Sequence, residues 1–402
     1  MIRNERAYPW RKCSQALLVL PLLTIVALAG QGRATSSQSV NAALGSRYLL
    51  LVNTAVASMM TPEKMQQFGK SPYDGLAVAF LHAYDTSAIP SPAVMTAKIL
   101  EWKKITGKDI WPWVYVNRMV AIDPADTNPY SKDPYFYRFA GADLEDKAGA
   151  QTEFIQNWTN ALRAAADSRV PGIVCDLEFY NYQKAYEIPE LASRIRKSPN
   201  ETTGLLRQLG ARMADAATAQ YPDAVLWFLF TGLTHSDYQA VGGESYYPAP
   251  SYIAMGLLDE IREKHFRLKV LTGGEGSIGY CHISTDEFNE KISDRRERMM
   301  PALEKYRGSL ELAGTMTLWR DPSAKKGWVK EYPCGSATAA TVEDLEPYLE
   351  LLLHSYRYNW IYGSADGGYN AFDSESAGRF DAVISRAEQQ AAHSAPQGTQ
   401  SR

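Results

Sequence analysis

The chain has 402 residues, with 42 Lys and Arg against 45 Asp and Glu and a formal net charge of −3. That length fits two ordinary domains or one large α/β barrel, and a composition 45% hydrophobic and 22% charged is that of a globular protein, which excludes a disordered or fibrous chain. The near-neutral balance argues against a nucleic-acid binder, which needs a basic surface, and four cysteines are too few for a disulfide scaffold.

Residues 1–29 have the pattern of a secretory signal peptide. Arg3, Arg6, Arg11 and Lys12 stand against one acid, Glu5, and the apolar run ALLVLPLLTIVALAG follows from Ala16 to Gly30. Ala27-Leu28-Ala29 supplies a small-x-small cleavage site. The alternative is an uncleaved membrane anchor, but Pro21 interrupts the run, which is shorter than the ~20 apolar residues a spanning helix needs. The expectation is a secreted or periplasmic protein, with no membrane association beyond this segment. Residues 30–45, rich in Gly, Ser, Gln and Ala, resemble a flexible leader, and 391–402 a disordered tail.

Between them, residues 46–390 repeat one pattern: a short apolar run rich in β-branched and aromatic residues, a loop, then a helical period. The runs are 48–53, 74–80, 109–119, 170–179, 224–233, 266–274, 312–319 and 358–367. Each is nearly continuous in apolar character, as strands covered on both faces are. Helical segments are expected at 62–69, 91–107, 153–168, 201–220, 251–264, 285–306, 342–356 and 376–392. Asp373-Ser374-Glu375 has the pattern of a cap on the last. The fold this predicts is a single-domain (β/α)8 TIM barrel. An open doubly wound sheet would carry a Gly-rich phosphate loop after its first strand, where this chain has Asn53-Thr54-Ala55.

In such barrels the chemistry sits at the carboxyl ends of the strands. The polar groups predicted there are Asn53; His82 and Asp85; Asn117 and Arg118; Asp176, Glu178 and Tyr180; His235; Glu275 and Tyr280; Trp319, Arg320 and Asp321; and Trp360, Tyr362 and Asp366. The sharpest signal is Val174-Cys175-Asp176-Leu177-Glu178. Two acids in an apolar strand are costly unless used or paired, and their spacing places both on one face. Neighbouring carboxyls push their pKa values apart, so that one holds a proton near neutral pH, as a general acid must. On this reading Glu178 is the proton donor and Asp176 tunes it or orients substrate. A structural pair satisfied by Arg118 is the plainer alternative. Glu275, between the glycines of Thr272-Gly273-Gly274-Glu275-Gly276, and Asp321 are candidates for a second carboxylate; a solvated loop acid is the alternative for Glu275.

The segment GIVCDLEFY, Gly172–Tyr180, resembles the strand-4 signature of family-18 glycoside hydrolases, D-G-x-D-x-D-x-E. Asp176 matches the last Asp and Glu178 the Glu, while Pro171 and Val174 stand where the family has its first two Asp residues. The resemblance implies that Glu178 protonates a glycosidic oxygen and Asp176 orients an acetamido group.

Aromatics with polar rims suit the apolar faces of sugar rings. Trp111, Trp113 and Trp227 are assigned to the core, and Trp319, Trp360 and Tyr180 to a ligand platform. No H-E-x-x-H, G-x-S-x-G or P-loop pattern occurs, so no metal and no cofactor is expected. Loops 120–152 and 235–250 are long enough to wall a cleft. Cys281 and Cys334 fall in loops and are candidates for a disulfide in an oxidising compartment; Cys175 belongs to the core. The function this supports is a glycosidase, a hydrolase acting on the O-glycosidic bonds of a poly- or oligosaccharide. The alternatives are a non-catalytic barrel binding a glycan or a partner, and another hydrolase or lyase on the same scaffold. Oligomeric state is left open.

Overall fold

The computed structural model describes residues 47–82, 87–121, 135–139, 144–146, 149–178, 187–233, 239–241, 244–275, 284–318, 341–363 and 370–393. Eight parallel strands close into a barrel: β1 (Tyr48–Val56), β2 (Gly75–Ala79), β3 (Asp109–Tyr115), β6 (Gly172–Asp176), β7 (Val225–Phe228), β10 (Lys269–Thr272), β11 (Leu310–Thr317) and β12 (Tyr358–Gly363), with β1 paired to β12. Two antiparallel hairpins stand outside it, β4 (Asn117–Ala121) with β5 (Tyr135–Phe139) and β8 (Gln239–Val241) with β9 (Glu244–Tyr246). The helices are α1 (Pro62–Gly69), α2 (Pro92–Thr106), α3 (Ala150–Asp167), α4 (Ile188–Ile195), α5 (Pro199–Gln220), α6 (Ala249–Glu263), α7 (Thr285–Lys305), α8 (Glu346–Ser355) and α9 (Ser374–His393). The (β/α)8 fold predicted from the apolar runs is therefore the fold observed.

Helix starts follow the sequence signals. Thr61, Ser91, Ser198 and Ser284 each accept a backbone N–H in the first turn, and Ser198 and Ser284 form reciprocal capping boxes with Glu201 and Glu287. Asp373 caps α9 by accepting the N–H of Ser376 at 2.8 Å. That helix runs to His393, into the stretch expected to be tail.

Ladder register fixes which side chains fill the barrel. Tyr48 pairs with Tyr358, Leu50 with Trp360, Trp113 with Val174, Val174 with Trp227, Trp227 with Leu271, and Thr315 with Trp360. Because side chains alternate along a strand, one inward series runs round the barrel: 48/50/52, 75/77/79, 111/113/115, 174/176, 227, 271, 313/315/317 and 358/360/362. The floor is aromatic. Trp111 and Trp227 meet edge-on at 5.7 Å, and Tyr48 and Tyr358 lie 5.7 and 5.9 Å from Trp111 and Trp227 respectively. The Trp111 indole donates to the Tyr48 hydroxyl at 2.7 Å, which faces Asp109 at 3.2 Å. The N-terminal end is thus plugged, and polar groups collect at the other end. Trp111, Trp113 and Trp227 are core, as expected, and so is Cys175, a buried free thiol whose pKa burial and Asp176 push up.

The run 109–119 divides. After Tyr115 the amide of Val116 makes a last bond to the carbonyl of Asp176 at 2.9 Å, and the chain then turns out into the β4–β5 hairpin. Asn117 and Arg118 therefore lie on a hairpin strand rather than ending a barrel strand.

Candidate active site

The fourth and sixth barrel strands, β6 and β10, bring three carboxyls together. Asp176 is the last residue of β6, in phase with Val174 and hence inward, and pairs in register with Tyr115. It is 1% exposed, and its Oδ1 accepts the backbone N–H of Glu178 at 2.8 Å. The Asp176 carboxylate therefore shapes the turn that lifts Glu178 off the strand end. Glu178 itself is half-buried. It stands two residues past the end of β6, and both it and Asp176 act electrostatically on Glu275.

Glu275 comes from the end of β10. The strand ends at Thr272, and Glu275 stands beyond the Gly273-Gly274 turn, close enough to Glu178 and Asp176 to feel their charges. Gly273 donates to the carbonyl of Phe228 at 2.6 Å and Glu275 to that of Leu229 at 3.2 Å, so the turn is stitched to the neighbouring strand β7. Glu275 is half-buried as a residue, but its Oε2 is sealed from solvent with no hydrogen-bond partner among the described residues. Its pKa is raised well above the ordinary carboxylate range, first by burial and then by the charges of Glu178 and Asp176. One site thus holds a buried carboxyl whose pKa is raised by the charges of two neighbouring acids.

Two glycines make that turn possible. A Cβ on Gly273 would lie 2.7 Å from Nε1 of Trp360, and one on Gly274, at φ +77°, would lie 2.4 Å from Cζ of Arg295. Trp360 fills the space above Gly273 and donates to its carbonyl at 3.0 Å. It is 0% exposed. This corrects the expectation of a ligand platform: Trp360 is three residues short of the end of β12 at Gly363, inside the packed barrel, and braces the Glu275 turn.

Tyr115, which the sequence reading did not single out, joins the aromatics toward this end of the barrel. Tyr115 stacks on Trp113 at 4.8 Å and meets His82 at 4.9 Å, and Tyr362 lies 6.3 Å from Trp360. The available signal for Tyr115 was its two-residue phase with Trp111 and Trp113. Other inward polar atoms share the orphan state of the Glu275 oxygen: Nε1 of Trp113 and Oγ1 of Thr315 are buried without a hydrogen-bond partner among the described residues. Asn53 is buried but falls on the opposite phase of β1 from Tyr48, Leu50 and Val52. The structure brings Asp176, Glu178 and Glu275 together, while His82 lies against Tyr115 and Tyr362 against Trp360. Asn117 and Arg118 are placed by backbone only. Asp85, Tyr180, His235, Tyr280, Trp319, Arg320, Asp321 and Asp366 lie outside the described residues, as do Cys281, Cys334 and residues 1–46. No cluster of His, Cys, Asp and Glu fit to hold a metal occurs among the described residues.

No protein-family model and no curated protein sequence matches this chain. Solved structures similar in chain path include PbGH5A, a glycoside hydrolase family 5 enzyme from Prevotella bryantii B14, at 12% identity and TM-score 0.47, covering 89% of this chain and 99% of that one. Endo-glycoceramidase II from Rhodococcus sp. is similar at 11% identity and TM-score 0.49, over 84% of this chain and 79% of that one. A sugar phosphate isomerase/epimerase from Parabacteroides distasonis aligns at 9% identity and TM-score 0.39, over 89% and 98%. At these identities and scores the likeness carries no information on substrate or reaction.

Proposed function

We propose that this barrel is a secreted or periplasmic glycoside hydrolase, cleaving an O-glycosidic bond of a poly- or oligosaccharide with Glu178 and Glu275 as its carboxyl pair. The observation that carries the proposal is the Glu275 carboxyl: sealed on Oε2, its pKa raised by burial and by the charges of the two neighbouring acids, at the strand ends where barrels do their chemistry. Glycoside hydrolysis needs one carboxylic acid to protonate the departing oxygen and one carboxylate on the other side of the bond. The motif assigns the proton to Glu178; the raised pKa of Glu275 supports the opposite assignment, with Glu275 donating to the leaving group. Glu178, half-buried and set by Asp176, serves as the carboxylate acting on the anomeric carbon or on water. With Oδ1 engaged by the Glu178 amide and only 1% of the residue exposed, Asp176 supports Glu178 rather than an acetamido group. Tyr115, paired in register with Asp176, and His82 against it supply ring faces at this end of the barrel.

The test is release of reducing ends from a panel of poly- and oligosaccharides. The wild type releases them, and Glu178→Gln and Glu275→Gln each lose about 10²–10⁴-fold while remaining folded. Proton NMR of the first product's anomeric configuration separates nucleophile from base at Glu178. Undiminished turnover in either variant removes that residue from the pair. Binding of a glycan without any release by the wild type favours the non-catalytic reading, to which the engagement of Asp176 with its own chain lends weight.

A further inference from the structure

Arg295 is a buried cation in the polar helix α7. It occupies the apolar stripe Phe288, Ile292, Arg295, Met299 and is 2% exposed. Its guanidinium reaches the end of one barrel strand and the middle of the next. Nη2 donates to the carbonyl of Thr272, the last residue of β10, at 2.7 Å, and Nη1 donates to the carbonyl of Ala313 in β11 at 2.7 Å. One side of the group carries the Tyr356 ring at 5.3 Å. The other meets Gly274, whose missing Cβ would stand 2.4, 2.6 and 2.8 Å from Cζ, Nη1 and Nη2. Removing a guanidinium from water costs several kcal/mol unless its donors are met. A planar fork that spans two carbonyls meets that cost where a single ammonium does not.

We infer that Arg295 is a positioning residue for Glu275: its fork clamps β10 to β11 one peptide before the Gly273-Gly274 turn and holds that turn so that the Glu275 side chain is delivered into the barrel mouth. The inference rests on the reading of Glu275 as a working carboxyl. The geometry behind it is independent of any substrate. Trp360 holds the same turn through the Gly273 carbonyl, so the turn is gripped from the barrel interior and from the helix layer.

The test follows the titration of Glu275 itself, by isotope-edited infrared spectroscopy of the carboxyl, assigned with Glu275→Gln. Arg295→Lys keeps the charge and loses the fork. The expected result is a folded protein by circular dichroism in which the Glu275 titration moves down toward the ordinary carboxylate range, because a loosened turn admits water. Tyr356→Leu, which removes the backing ring and leaves every hydrogen bond, is expected to move it in the same direction. A merely structural arginine would lower the melting temperature of the variants and leave the Glu275 titration in place. An unchanged titration in a folded Arg295→Lys protein, or in Tyr356→Leu should Arg295→Lys fail to fold, overturns the inference. An ordinary titration of Glu275 in the wild type sinks the reading of the site instead, so the two failures are distinct.

Discussion

Replacing Glu275 by glutamine should make the protein more stable, relative to wild type, as pH rises. The unfolded chain ionises a glutamate near pH ~4.3. In the folded protein burial first, and then Glu178 and Asp176, hold the Glu275 proton to well above that range. Between those two values the native state binds a proton that the unfolded state has released. Native stability therefore falls with rising pH, at up to about 1.4 kcal/mol per pH unit, until the native carboxyl ionises. The variant has no proton to lose and so lacks this slope. It also keeps the size of the side chain, so the cavity contribution is small. The difference in unfolding free energy, variant minus wild type, should climb by about 1.4 kcal/mol for each unit above roughly pH 5 and level off where Glu275 ionises in the wild type. Below about pH 4 both side chains are neutral and the difference should be flat. Urea unfolding followed by tryptophan fluorescence, with equal denaturant slopes required of the two proteins, measures it. A difference that stays constant from pH 4.5 to pH 7 would refute the electrostatic argument outright.

Other outcomes follow from the same contacts. Glu178→Gln should abolish glycan cleavage while leaving the urea midpoint near that of wild type, since a half-buried carboxyl becomes an amide of equal size; retained cleavage contradicts the assignment. Asp176→Asn keeps an oxygen for the Glu178 amide and removes a charge that raises the Glu275 pKa, so Glu275 should titrate lower than in wild type by infrared spectroscopy. A rise, or no change, would show that Asp176 does not act on it. Trp360→Phe leaves the buried Gly273 carbonyl without its donor, at a cost of about 1–3 kcal/mol plus that of the cavity, read as a lower urea midpoint; an unchanged midpoint denies the brace.

The barrel was legible because strands covered on both faces leave near-continuous apolar runs, and eight such runs alternate with helical periods. The break inside 109–119 was not. Trp113, Val114, Tyr115 and Val116 continue without a turn residue, and the strand ends only because its neighbour β6 ends at Asp176. The helix α4 was not among the expected segments. At the site, Asp176 and Glu178 betrayed themselves as acids in an apolar strand, and Glu275 by its glycines. The raised pKa of Glu275 was hidden, since it depends on how deeply a turn is seated and on what faces it. Trp360 was misplaced because the eighth run extends to 367 and the strand stops at Gly363. Arg295 looks like one cation among many in DRRER; only its place in the stripe of Phe288, Ile292 and Met299 marks it as buried.

The central claim is a Glu275 carboxyl whose pKa is raised by burial and by the charges of Glu178 and Asp176 at one barrel mouth. Isotope-edited infrared titration of the wild-type protein, with Glu178→Gln and Glu275→Gln to assign the bands, tests it most directly. The expected result is a Glu275 carboxyl that ionises above the ordinary carboxylate range. Two glutamates that both ionise together in the ordinary acidic range would contradict it.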